Sequence, residues 1–110
     1  MRTLKFIVDG QLIAKDPTCD FSDLIPGSNG YLKAEFSFSS EWNNCKKVVA
    51  FYSPLGMEYP PQVLSDTDNF CVIPEKALEK RSFMIQVIGR RGDYKIKSNK
   101  IMISQNGGRA

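Results

Sequence analysis

Period-two alternation of apolar and polar side chains runs through most of this chain and restricts what it can become. In residues 31–38, YLKAEFSF, Leu32, Ala34, Phe36 and Phe38 occupy alternate positions, with Lys33, Glu35 and Ser37 between them. A strand projects successive side chains to opposite faces, so this segment offers one face to a core and one to water. A helix of the same residues would scatter its apolar groups around the cylinder. The same period governs RTLKFIV, where Leu4, Phe6 and Val8 alternate with Thr3, Lys5 and Ile7. In SFMIQVIG, Phe83, Ile85 and Val87 share one face and Met84, Gln86 and Ile88 the other. Both faces are largely apolar, which predicts a central strand.

Turn chemistry punctuates these runs. Asp9-Gly10 favours positive φ in a two-residue turn and predicts an opening hairpin with QLIAK. The cluster 26–30, PGSNG, breaks the chain before YLKAEFSF. Ser53-Pro54-Leu55-Gly56, SDTDN and RRGD mark further turns, and Pro60-Pro61 confines EYPPQVL to an edge or a loop. Only PEKALEK reads as helical: Pro74 suits a helix start, Glu75 complements the positive end, and Ala77 and Leu78 turn inward.

The expected fold is therefore all-β: an immunoglobulin-like antiparallel β-sandwich of seven or eight short strands with one short helical turn at residues 74–80. A small barrel is the alternative. Leu4, Phe6, Leu32, Phe36, Phe38, Val48, Phe83, Ile85 and Val87 are the expected core. Trp42 follows a strand and does not reproduce the Cys-Trp-Cys arrangement of antibody domains, so that likeness is architectural. The 110 residues fit one domain, expected to span 1–105, with 106–110 as a flexible tail.

Composition narrows the chemistry. At 42% hydrophobic and 25% charged the chain matches folded soluble domains, and no apolar run approaches the roughly 18 residues of a membrane span. The absence of His removes Ser-His-Asp catalysis, His-ligated zinc and a His general base. Cys19, Cys45 and Cys71 form no CxxC pair and are expected to be reduced, unligated thiols. The carboxylates Asp9, Asp66, Asp68 and Asp93 belong to turns. DTDN lacks the Gly and the distant Glu of a calcium loop, and the Gly-rich stretches lack a phosphate-binding lysine. No metal, cofactor or catalytic residue is expected, and the chain is expected not to be an enzyme.

Charge is unevenly spread. Residues 1–70 hold six Lys/Arg against nine Asp/Glu, and residues 71–110 hold nine against three. The basic third carries no interleaved aromatics to stack on bases, so its charges are expected to keep a strand face solvated and its edge unpaired, and nucleic acid is not an expected partner.

LKFIVDGQLI, GYLKAEFSFSSEWNNCKKVVAFY, NFCVIPEKAL and SFMIQVIGRRGDYKIKSNKIMIS together resemble a family of small proteins of tailed phages and prophages of Gram-positive gut bacteria. AEFSFSSEW and CVIPEKAL are the most telling blocks. Related segments form N-terminal anchoring modules of tail-fibre or head-fibre proteins. The resemblance implies a protein made in the host cytoplasm and carried in the virion. It would be a decoration, head-fibre or tail adaptor subunit docking onto a capsid, portal or tail protein or onto copies of itself, with no membrane involved. The alternative is a phage-encoded inhibitor that binds a host defence protein or its nucleotide signal. Interface centres favour aromatic residues and Arg, so Trp42, Tyr59, Arg90 and Arg91, in connections and at a hairpin tip, are the expected partner-binding residues.

Overall fold

The computed structural model describes residues 1–65 and 67–105. The expected tail, 106–110, lies outside the described residues. β1 (Arg2–Asp9) and β2 (Leu12–Lys15) form the opening hairpin. Its central residues are Gly10 and Gln11, one position later than Asp9-Gly10 predicts, because Asp9 is already paired with Leu12. Gly10 has φ 59° and Gln11 is not in the positive-φ region. That is the type II′ pattern, whose twist matches that of the flanking strands.

The chain then leaves the sheet over residues 16–31 and returns as β3 (Leu32–Phe38) on the other side of β1. β3 runs parallel to β1, from Arg2 opposite Leu32 to Val8 opposite Phe38. Every other strand pairing among the described residues is antiparallel, so this pair is the departure from the expected sandwich. Its cause is the long connection, since parallel neighbours need a crossover of a dozen or more residues and cannot be joined by a tight turn. Asp16 and Asp20 shape that crossover by accepting bonds from the backbone and hydroxyl groups of Thr18 and Ser22. The Arg2 guanidinium pins it to β1 by donating to the carbonyls of Asp20 at 2.9 Å and Ser22 at 2.6 Å.

A 3-10 turn at Ser40–Trp42 leads into β4 (Lys46–Tyr52), followed by β5 (Gln62–Val63) and β6 (Phe70–Val72). One helical turn, α1 (Glu75–Leu78), buries Ala77 and Leu78 as expected. β7 (Ser82–Arg91), β8 (Tyr94–Lys97) and β9 (Ile101–Ser104) complete the chain. These nine strands form two sheets, one ordered β2-β1-β3-β6 and the other β5-β4-β7-β8 with β9 also paired to β7. β7 is central and β5, beside Pro60-Pro61, is an edge, as the sequence predicts. The all-β sandwich is the architecture of the chain.

Leu4, Phe6, Leu32, Phe36, Phe83, Ile85 and Val87 lie in the core between the sheets. Phe38 is half-buried and packs against the core from its rim. Val48 is a correction: Val49 and Phe51 face inward, opposite Val87 and Ile85 of β7, and Val48 faces outward opposite Ile88. KVVAFY is apolar at consecutive positions, so alternation does not choose its phase. Burying Phe51 and leaving the Tyr52 hydroxyl outside does. An aromatic series crosses the first sheet's inner face: Phe21 meets Phe6 edge-on, Phe6 stacks on Phe36, Phe36 on Phe38, and Phe38 leans on Trp42, with centroids 5.1 to 6.0 Å apart.

Candidate docking surface

The four expected partner-binding residues do not form one patch. Trp42 is fully buried and presents no surface to a partner. Its indole Nε1 donates to the Gly10 carbonyl at 2.8 Å, tying the 3-10 turn to the β1–β2 turn. The ring closes one end of the sandwich against Gly89, where a Cβ would come within 2.8 Å of it. Tyr59 is also buried, its amide bonded to the Phe51 carbonyl. Arg91 is exposed yet committed internally: it donates to the Asn43 carbonyl at 2.6 Å and lies over the Tyr94 ring, whose hydroxyl donates to the Glu41 carbonyl. Arg90, one residue earlier and therefore on the opposite face of β7, points outward.

Arg90 leads to a surface that the sequence does not display as a unit. The outer faces of the two sheets differ. On the β2-β1-β3-β6 sheet the outward positions are mixed: Thr3, Lys5, Lys33, Glu35 and Ser37 stand among the exposed apolar side chains Ile7, Leu12 and Val72. On the other sheet, strand register places outward side chains in rows. Lys46, Arg90 and Lys95 stand side by side on β4, β7 and β8. The next row is Val63, Val48, Ile88 and Lys97. Ala50 and Gln86 follow, then Tyr52, Met84 and Met102, with Glu58 bridging to Tyr52 at the edge. The face is thus cationic at one end and bordered there by an apolar row in which Val63 is 66% exposed and Val48 and Ile88 are half-buried; Ala50 and Gln86 beyond it are buried, and Met102 at the far end is 45% exposed.

A polar network lies beneath this surface. The Tyr52 hydroxyl bonds to Gln86 Oε1 at 2.9 Å and Gln86 Nε2 donates to the Ser98 carbonyl at 2.8 Å. The Ser98 hydroxyl accepts the Val87 amide. Lys100 Nζ sits 4.1 Å from the Tyr52 ring centre. Burial, with Glu58 adding a smaller effect, raises the Tyr52 phenol above its ordinary value, so it stays neutral and keeps its proton for hydrogen bonding. A depression of about 390 Å³ lined by Asn44, Cys45, Lys46 and Lys47 opens at the cationic end.

Other chemistry is sparse. Among the described residues, no group of three or more His, Cys, Asp or Glu side chains could hold a metal ion, and no helix is long and apolar enough to cross a membrane. Cys45 and Cys71 are buried and Cys19 is partly exposed, all three as free thiols. Burial pushes the Cys71 thiol up to about 12, which removes its nucleophilic form at neutral pH. A scan against protein-family models, a search of the curated proteins and a search of the solved structures each gave no match.

Proposed function

We propose that the chain is a non-enzymatic docking subunit of a phage particle, attached through the outer face of the β5-β4-β7-β8 sheet. The observation that carries this reading is the meeting on that face of an exposed cationic row, Lys46, Arg90 and Lys95, with a bordering apolar row, Val63, Val48 and Ile88. Apolar side chains left at the surface beside a row of like charges mark a contact site, whereas the outer face of the other sheet mixes lysine and glutamate with its apolar residues. Val48, Ile88, Met84 and Met102 supply the apolar area and Arg90 a charged anchor of the type that concentrates binding energy. The virion setting, with a capsid, portal or tail protein as partner, rests on the resemblance of the sequence blocks to phage proteins.

Mass spectrometry of purified particles tests the proposal. The chain is expected in many copies per particle, and Val48→Glu with Ile88→Lys, a complementary cross-strand pair at two half-buried outward positions, is expected to empty those positions with the melting temperature little changed. Absence of the chain from particles, or full occupancy by the double variant, would overturn it. The second reading, an inhibitor of a host defence protein or its nucleotide signal, is favoured by one feature, the Lys46–Arg90–Lys95 row. Absence from particles together with nucleotide binding that Arg90→Ala abolishes would establish that reading instead.

A further inference from the structure

The cationic row carries a statement about the partner's own chemistry, which rests on the docking reading and sharpens it. Lys46, Arg90 and Lys95 are direct cross-strand neighbours on three adjacent strands, all exposed, with no carboxylate in their row. With strands about 4.8 Å apart the row spans roughly 10 Å. Like charges directly opposite each other disfavour a sheet, a cost that water and salt screen at exposed positions and that a complementary anionic surface turns into attraction. Lys97, in the adjoining row, extends the positive field toward Val48 and Ile88. The apolar and cationic areas are therefore continuous, and one ligand covers both.

We infer that this face receives an acidic protein surface: a strip of apolar side chains seated on Val63, Val48 and Ile88, bordered by a row of Asp or Glu carboxylates that meets Lys46, Arg90 and Lys95. A second copy of the chain does not fit, because the same face sets Lys46, Arg90, Lys95, Lys97 and Lys100 against Glu58, so two such faces carry the same net sign in either orientation. Nucleic acid fits the charge and not the rest. Valine, isoleucine and methionine offer no flat ring for bases, and the face's Tyr52 is held by Gln86 and covered by Lys100.

Carbodiimide cross-linking, which joins a lysine amine to a carboxylate in contact with it, tests the inference in extracts of phage-producing cells and in purified particles. Cross-linked peptides joining Lys46, Lys95 or Lys97 to Asp or Glu of a different protein are expected. In Arg90→Gln, which removes the middle charge and introduces no carboxylate that the reagent could join to Lys46 or Lys95, their yield is expected to fall about fivefold, with the melting temperature nearly unchanged. Lysines joined to a second copy of the chain, ultraviolet cross-linking of the face to nucleic acid, undiminished yield in Arg90→Gln, or no cross-link from these lysines would each overturn it. The two proposals fail separately. Cross-links in extract with no chain in particles would remove the virion role and keep the acidic partner; a chain abundant in particles with these lysines unjoined would do the reverse.

Discussion

Gly89 shows how one residue sets the distance between parts. It interrupts an otherwise bulky strand, and an isolated glycine in a strand marks a close approach. Here the approach is by Trp42, whose ring occupies the space a Cβ would need, at 2.8 Å. Because the ring is fully buried and its nitrogen is held by Gly10, it cannot swing aside. Gly89→Ala is expected to destabilise the fold by about 1 to 3 kcal/mol, the range for overpacking a filled site, measured by urea unfolding. The thiols give a second test at this scale. In the native protein an alkylating reagent at neutral pH is expected to label Cys19 and spare Cys45 and Cys71, and denaturant is expected to expose all three. For Cys71 the folded value near 12 exceeds its ordinary value near 9, so the folded state holds a proton that the unfolded chain releases. Its contribution to stability is complete below about pH 9 and is lost as pH rises toward 12, a trend that Cys71→Ala is expected to flatten in alkaline melting curves. Asp16 and Asp20 work in the opposite direction: hydrogen bonds from Thr18 and Ser22 lower both carboxyls, so the crossover loosens in acid, below their ordinary range.

At the scale of elements, the aromatic series joining Phe21, Phe6, Phe36, Phe38 and Trp42 links the crossover, the two parallel strands and the closing turn. Phe36 is 3% exposed and stacks on both neighbours. Phe36→Ala is expected to cost about 3 to 5 kcal/mol, much of the total stability of a domain this size, and a shifted denaturation midpoint would record it. The strands in this series were legible in the sequence because their alternation is unbroken. β4 was not, since Val48, Val49, Ala50 and Phe51 are all apolar and either phase satisfies the period. The parallel partnership of β1 and β3 was hidden for another reason: it depends on which strands meet across residues 16–31, and periodicity is blind to pairing. The docking face was half legible. Met84, Gln86, Ile88 and Arg90 alternate outward along β7, yet the row that Arg90 shares with Lys46 and Lys95 exists only in the register. Trp42 misled because its position after a strand looks like a connection, while the 3-10 turn folds it inward.

The whole molecule is a sandwich whose two outer faces differ in charge, one mixing lysines with carboxylates and the other carrying a cationic row beside an apolar one. That contrast predicts a difference under substitution. Lys5→Glu and Ser37→Glu on the first sheet are expected to leave attachment unchanged, whereas Val48→Glu with Ile88→Lys on the second is expected to abolish it with the melting temperature little changed, with particle occupancy and melting temperature read together. Salt is expected to weaken attachment, because exposed cations lose their reach as the screening length shortens.

The parallel pair has a consequence for how the chain comes off the ribosome. β1 is made before its partner β3, which begins at Leu32, and at usual synthesis rates of about 5 to 20 residues per second roughly 2 to 6 s separate the two. During that interval Leu4, Phe6 and Val8 have only the β1–β2 hairpin for shelter, so the Gly10 turn acts as a temporary guard on the nascent chain. A substitution at Gly10 would then reduce the yield of soluble protein during synthesis more than it lowers the stability of the finished fold.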